Sequence, residues 1–220
     1  MSSNLSPGSV HLWRADLDRS EEADEFPLSR DELERAHRFR FHRDRVRWAR
    51  CRALLRELLA SYLGGEPGRL RFTTGPNGKP RLAGGEGIEF NLSHAGEIAI
   101  FAFARDNRVG VDVEIRGRAL DSLGAAELVL GQAELERLRS LPDRLREKEF
   151  LRSWVRYEAA LKCRGDHLGA ETSRGDLHVV DLDLAPCAAG ALALERAPEA
   201  IHVHQLDSAR SERRRIRVAA

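Results

Sequence analysis

Two groups of side chains have the types and spacing needed to bind a metal ion and a phosphate. Asp112 and Glu114 are separated by one residue in an alternating segment, so on a β-strand both carboxylates point to the same face. Neighbouring carboxylates repel each other, and a hard divalent cation relieves that repulsion. Mg²⁺ typically binds one or two carboxylates together with substrate phosphates. A solvent-facing strand that happens to carry two acids is the competing interpretation.

The second group has helical spacing. Trp154, Glu158 and Lys162 are four residues apart, so they share one face of a helix. On that face the carboxylate could bind a metal ion and the ammonium group a phosphate. A plain Glu–Lys ion pair, worth about 0.2–0.5 kcal/mol, explains the same spacing without any ligand.

Further polar and basic residues precede the acidic pair. Ser93 and His94 stand at the end of an apolar segment, where a hydroxyl and an imidazole suit phosphate oxygens, although a polar turn has the same pattern. Lys79 precedes Pro80 in a turn-rich loop that lacks Walker spacing, so it either contacts phosphate as a point charge or belongs to a simple turn. Arginines, whose forked guanidinium groups suit phosphates, crowd an earlier segment: Arg35, Arg38, Arg47, Arg50 and Arg52.

The elements that would carry these residues follow from apolar periodicity and from turn-forming residues. Ser29 and Glu32 form a capping-box pattern that begins a short helix ending near residue 37. Short loops among three central strands indicate antiparallel pairing. We predict strands at 10–17, 88–92, 98–103 and 109–115, weaker strands at 177–184, 191–194 and 201–206, a loop at 73–80, helices at 42–62 and 144–164, and one or two helices at 125–141.

This order of elements predicts an α+β fold made of two similar halves. We place the division near residue 106, which gives an N-terminal half at 1–106 and a C-terminal half at 107–220. Because both halves lie in one chain, the cleft between them would be built internally. A monomer would then be sufficient.

Bulk composition restricts the class of protein. The 220 residues include 36 Lys and Arg and 35 Asp and Glu, whereas a general nucleic-acid binder usually has a larger excess of basic residues. The three cysteines lack a metal-type spacing, which argues against a disulfide framework and fits a reducing compartment. We find no apolar leader and no stretch near the roughly 20 apolar residues that span a bilayer. The sequence therefore predicts a soluble cytoplasmic protein without a nucleic-acid or membrane partner.

Together, the order and spacing of these groups resemble the 4′-phosphopantetheinyl transferase superfamily, in particular its pseudo-dimeric, surfactin-synthetase-activating type. The resemblance covers residues 10–170. It departs from the family pattern at Tyr157, where the family usually has lysine, at Ala95, where serine is common, and at 165–168, which lacks a second glycine. The matching segments are Asn77-Gly78-Lys79-Pro80-Arg81-Leu82, Phe90-Asn91-Leu92-Ser93-His94-Ala95, Gly110-Val111-Asp112-Val113-Glu114, and the pattern Phe150, Trp154, Tyr157-Glu158-Ala159, Lys162.

The resemblance implies an enzyme that transfers the 4′-phosphopantetheine group of coenzyme A to a serine of an apo acyl, peptidyl or aryl carrier protein and releases 3′,5′-ADP. It implies that Asp112, Glu114 and Glu158 hold Mg²⁺, or Mn²⁺, against the pyrophosphate. It implies catalytic roles for Glu158, Lys162 and His94, with Glu158 as the candidate base. The residues that it assigns to coenzyme A are Arg35, Arg47, Lys79, Pro80, Ser93, His94 and Lys162.

Three other interpretations remain open on the sequence. Tyr157 in place of lysine is consistent with a coenzyme A-binding homologue without turnover. Asp112 and Glu114 would also serve a metal-dependent phosphohydrolase, and the arginine-rich helix a structural or nucleic-acid-binding protein. For a transferase, we expect a basic and apolar rim at 125–146 to contact the carrier protein.

Overall fold

The computed structural model describes residues 5–18, 26–75, 77–84, 87–117, 124, 130–166, 176–185 and 187–206. Within these ranges the chain forms four layers in the order helix, sheet, sheet, helix. This is the expected α+β class. No helix in the described part is long and apolar enough to cross a membrane.

The first sheet is assembled mainly from the N-terminal part of the chain. Its strand order is β4-β5-β1-β9, with β1 antiparallel to β5 and parallel to β9. The long helix α2 covers one face, where Leu55 and Leu59 pack against Phe101 and Phe103. The elements are β1 (Ser9–Asp16), α1 (Arg30–His37), α2 (His42–Leu63), β2 (Phe72–Thr74), β3 (Pro80–Leu82), β4 (Ile88–Ala95), β5 (Ile98–Arg105) and, from the end of the chain, β9 (Ala200–Leu206).

The second sheet is smaller and carries its own helix. Its strand order is β6-β8-β7, all antiparallel. Val155 and Ala159 of its long helix pack against Ala191 and Ala193. The elements are β6 (Val109–Ile115), α3 (Gln132–Ser140), α4 (Asp143–Arg164), β7 (His178–Ala185) and β8 (Ala188–Leu194).

The two sheets face each other across one apolar layer. Val111 and Val113 of β6 pack in the same cluster as Ile98 and Ile100 of β5. Because side chains alternate along a strand, burial of the valines leaves the intervening polar residues on the opposite face. Asp112 is therefore directed toward α4 and not into the layer between the sheets.

Three of the expected helices are confirmed closely, and the one expected at 125–141 is observed at Gln132–Ser140, whereas the expectations for the strands differ in two respects. The capping box at Ser29 is present, with both hydrogen bonds made. The loop expected at 73–80 contains a short hairpin, in which β2 pairs with β3. The expected pairing of three successive central strands is wrong for the third, because β6 pairs with β8 instead of β5.

The chain passes from the first sheet to the second at the short connection between β5 and β6, and it returns to the first sheet between β8 and β9. Asp106 has a φ of 52°, and the Asn107 side chain donates to the Arg196 carbonyl and accepts from the Arg196 amide, at 2.9 and 3.0 Å. These bonds tie the start of β6 to the segment that follows β8. The sequence of this connection is typical of a hairpin turn, but the strand that follows it, β6, belongs to the second sheet.

Candidate active site

A polar cleft lies where the edge strand β4 of the first sheet meets the edge strand β6 of the second, beside α4. It has a volume of about 420 Å³. The structure brings together most of the residues that were predicted from the motifs, and adds Leu92. The lining residues are Leu92, Ser93, His94, Asp112, Glu114, Trp154, Glu158 and Lys162.

The cleft depends on an unusually close approach of α4 to β6. A Cβ at Gly110 would lie 2.1 Å from the Ala159 carbonyl oxygen and 2.3 Å from the Cys163 amide nitrogen. Only glycine fits there, because real Cβ atoms do not come within 3.0 Å of such atoms. Gly110 therefore lets α4 lie directly on the strand that carries Asp112.

Three side chains from three elements are joined by hydrogen bonds in the floor of the cleft. The Ser93 hydroxyl donates to Asp112 Oδ1 at 2.8 Å. The Lys162 ammonium group lies 2.5 Å from the same oxygen and 3.1 Å from the Ser93 hydroxyl. Asp112 and Ser93 are buried, whereas the Lys162 side chain is 30% exposed. The Lys162 ammonium group is thus held at the base of an open polar pocket.

One carboxylate oxygen in the cleft has no hydrogen-bond partner. Asp112 Oδ2 is buried and has no hydrogen-bond partner. Burial, together with the neighbouring Asp112 carboxylate, raises the pKa of Glu158, and Lys162 partly opposes this rise. Buried negative charge of this kind is relieved by a cation. Among the described residues, however, no three His, Cys, Asp or Glu side chains are arranged to hold a metal ion by themselves.

Asn91 is a residue to which sequence reasoning gave no role of its own. Its side-chain oxygen accepts a hydrogen bond from the Val111 amide at 2.9 Å. Because β6 lies at the edge of its sheet, this amide lacks a strand partner, and the buried amide would otherwise be unsatisfied. A role for Asn91 was partly predictable from the sequence, since Asn91 and Ser93 are polar residues on one face of an apolar strand.

Lys79 and Pro80 lie apart from the residues that line the cleft. Pro80 begins β3. The Lys79 ammonium group donates to the backbone carbonyls of Val109 and Cys163, at 2.9 and 3.2 Å. Burial lowers the pKa of Lys79. In this structure the lysine connects β6 to the end of α4.

Arg35 and Arg47 lie on α1 and α2, also outside the set that lines the cleft. The Arg35 guanidinium lies 5.5 Å from the centre of the Trp48 ring. Arg47 makes two hydrogen bonds to Asp18, of 2.6 and 2.7 Å, and holds the pKa of that carboxyl well below its usual range. It also lies 3.7 Å from Glu97, in the turn that follows β4. Arg47 is therefore near the end of the strand that carries His94.

Two of the departures from the family pattern, Tyr157 and Ala95, lie in described elements. Tyr157 packs beside Trp154, with 6.5 Å between ring centroids, and is absent from the lining. Ala95 is buried in the layer between the sheets, where a small apolar residue fits. Residues 167 and 168 of the altered glycine segment lie outside the described residues, as do 125–129 of the expected carrier-binding rim.

Comparisons with known proteins agree with this geometry. A family model described as the 4′-phosphopantetheinyl transferase superfamily matches residues 108–219. A second, described as 4′-phosphopantetheinyl transferase, N-terminal, matches residues 13–106. The chain therefore belongs to the 4′-phosphopantetheinyl transferase superfamily, as expected from the motifs.

Individual relatives support the same family. The 4′-phosphopantetheinyl transferase HetI of Nostoc is 40% identical over 163 residues, which are 71% of this chain and 69% of HetI. The 4′-phosphopantetheinyl transferase psf-1 of Bacillus pumilus is 29% identical over 74% of this chain and 72% of its own length. The human L-aminoadipate-semialdehyde dehydrogenase-phosphopantetheinyl transferase is 29% identical over 71% of this chain, and the match spans 52% of the human protein. The enzyme class is thereby confirmed, and the phosphohydrolase and non-catalytic alternatives are not favoured.

Proposed function

We propose that this chain transfers the 4′-phosphopantetheine group of coenzyme A to a serine hydroxyl of an apo carrier protein in the cleft between β4, β6 and α4. The observation that carries the proposal is the convergence of Ser93, Asp112, Glu158 and Lys162 in one pocket. These residues come from three elements and combine carboxylates with a cation and a hydroxyl. Such a mixture suits a metal-bound pyrophosphate.

The proposed metal is Mg²⁺, with Mn²⁺ as the alternative, and Asp112, Glu114 and Glu158 would hold it. The buried, unpartnered Oδ2 of Asp112 and the raised pKa of Glu158 support a cation at this place. Mg²⁺ completes its coordination shell with phosphate oxygens and water, so the carboxylates need not surround it by themselves. When bound, the ion supplies charge neutralisation for the transferred phosphate.

The residues of this chain supply the proton transfer and the phosphate contacts. In the proposed step, an O–P bond forms between the serine oxygen and the β-phosphorus, and the bond from that phosphorus to the bridging oxygen breaks. The bonding electrons leave with 3′,5′-ADP, and the serine proton passes to the Glu158 carboxylate. Lys162 donates to the phosphate oxygens, and Ser93 and His94 bind phosphate beside it.

The adenosine end of coenzyme A would extend toward the arginines of α1 and α2. Arg47 supports this direction, because it lies beside Glu97 in the turn that follows β4. We assign Arg35 and Arg47 to the 3′-phosphate or adenine region. Pro80 and the backbone of its loop would contact the same end of the ligand.

The proposed partners are coenzyme A and apo acyl or peptidyl carrier proteins. The rim at 125–146 would contact the carrier protein. We also propose that the enzyme works as a monomer in the cytoplasm. Both walls of the cleft come from one chain, which supports a monomer. The N- and C-terminal halves, at 1–106 and 107–220, would close on coenzyme A from opposite sides.

The test is a transfer assay read by the intact mass of an apo carrier protein, with coenzyme A and MgCl₂ present. We expect the carrier to gain one phosphopantetheine group. Glu158→Gln removes the base and a metal ligand, and should lower the rate by at least about a hundredfold. Glu147→Gln is the matched control, because Glu147 lies on the same helix outside the cleft and accepts a bond from the Gly117 amide, which glutamine can still accept.

Three outcomes would contradict the proposal. Full activity of Glu158→Gln would refute the role of that carboxylate. Cleavage of coenzyme A without any acceptor would favour a phosphohydrolase. Absence of transfer to several kinds of apo carrier, with intact coenzyme A binding, would favour a non-catalytic homologue.

A further inference from the structure

We infer that Lys79 is a positioning residue: its ammonium group clamps the end of α4 to the start of β6 and so sets the spacing between the carboxylates on the two elements. The inference rests on the proposed function for its catalytic consequence. Its structural part stands on contacts within the described chain alone. It differs from the phosphate contact that the motif by itself suggests.

The first observation is where the ammonium group donates its hydrogen bonds. One bond goes to the carbonyl of Val109, the first residue of β6, and the other to the carbonyl of Cys163, in the last turn of α4. The last four carbonyls of a helix have no partner within the helix, and an edge strand has an unpaired row of backbone groups. Lys79 therefore satisfies one orphan group on each element and ties the two together.

The second observation is that the neighbouring residue of the same loop also holds the end of α4. The Asn77 side chain donates to the Gly165 carbonyl at 2.8 Å. Gly165 caps α4 in the left-handed conformation. A positive charge at a helix C-terminus is favourable, so the lysine also suits the helix dipole.

The third observation is the short distance from the clamp to the proposed ligands. Cys163 follows Lys162 directly and lies five residues beyond Glu158, a rise of about 7.5 Å along the helix. Val109 precedes Asp112 by three residues, about 10 Å along the strand. Release of the clamp would let α4 and β6 separate at one end, and the carboxylates are close to that end.

Two consequences distinguish a clamp from a phosphate ligand. A clamp acts on the positions of Glu158 and Lys162, which both face the pyrophosphate in the proposed function, so its loss lowers kcat and changes KM by the same factor for coenzyme A and for 3′-dephospho-coenzyme A. The loss is then the same whether or not the substrate carries a 3′-phosphate. A phosphate ligand acts on binding, so its loss raises KM, and only for a substrate that carries the phosphate it contacts.

The experiment compares Lys79→Met with the wild-type enzyme, and uses Lys148→Met, an exposed lysine of α4, as the control. For Lys79→Met we expect a kcat that is lower by about tenfold to a hundredfold. Any change in KM should agree within about twofold between coenzyme A and 3′-dephospho-coenzyme A, and the same factor should be lost in kcat for both substrates. We expect no effect of Lys148→Met on either substrate.

A second measurement does not depend on activity. Amide hydrogen exchange in the last turn of α4, at 160–165, should be at least about tenfold faster in Lys79→Met, whereas exchange in the middle of the helix should be unchanged. Should Lys79→Met fail to fold, Lys79→Gln retains a donor without charge and should show a smaller loss of kcat that is again equal for the two substrates.

Either of two results would overturn the inference. One is an increase in KM that is confined to coenzyme A and absent for 3′-dephospho-coenzyme A, which would make Lys79 a phosphate ligand. The other is unchanged hydrogen exchange at the end of α4. If the wild-type enzyme transfers nothing, the proposed function fails, and the exchange measurement still decides whether the clamp exists.

Discussion

Substitution of Gly110 by alanine should damage catalysis through packing alone. The added Cβ would lie 2.1 Å from the Ala159 carbonyl oxygen, whereas ordinary contacts begin at 3.4 Å. Relief of the overlap requires α4 to move away from β6 by more than about 1 Å. The helix carries Glu158 and Lys162, so both would be displaced from Asp112.

The magnitude follows from two effects. Overpacking of a buried contact destabilises a protein by about 1–3 kcal/mol. A displacement of about 1 Å in a catalytic group reduces the rate by about a hundredfold. The 2.5 Å contact between Lys162 and Asp112 is the first that such a movement would lengthen. We therefore expect a large loss of kcat in a protein that is still folded.

The assay combines phosphopantetheinyl transfer to an apo carrier protein with urea unfolding. The matched control is Gly65→Ala, since a Cβ at Gly65 meets nothing within 4 Å and its φ is not positive. We expect the control to keep its activity within about twofold and its stability within about 0.5 kcal/mol. More than half of the wild-type activity in Gly110→Ala would refute the reasoning, because it would mean that the packing of α4 on β6 is loose.

The remaining predictions concern stability and thiol chemistry. Glu32→Ala leaves the buried Arg56 guanidinium without its carboxylate partner, so the free energy of unfolding in urea should fall by about 3–5 kcal/mol; a loss below 1 kcal/mol would contradict this. Burial acts to raise the pKa of Glu32, but hydrogen bonds from Ser29, Arg56 and Arg52 outweigh it and lower that pKa. Glu32 therefore stabilises the fold above its unfolded pKa of about 4.3, and this contribution should be lost as pH falls through the lower folded pKa. In Glu32→Gln, the free energy of unfolding should consequently decrease less steeply as the pH is lowered. Burial raises the pKa of Cys51 to about 12, whereas Cys187 is exposed, so a thiol reagent followed by peptide mass analysis should label Cys187 in the native protein and Cys51 only after unfolding.

The sequence by itself determined the local structure and the pairing of residues within each element. Asp112 and Glu114 share a strand face, and Glu158 and Lys162 share a helix face, because the periods of the strand and the helix require it. The capping box of α1 was also predictable, because Ser29 and Glu32 have the required types and spacing. The order of the motifs then identified the family, and the comparisons confirmed it.

Tertiary structure alone decided how these faces meet. The pairing of β6 with β8, the parallel return of β9 to β1 and the two backbone bonds of Lys79 all join residues far apart in the chain. Local patterns do not specify such contacts, because strand partners are selected by the burial of whole faces. The same holds for Gly110: its type is visible in the sequence, but the approach of α4 that makes it necessary arises only when two sheets and a helix pack together.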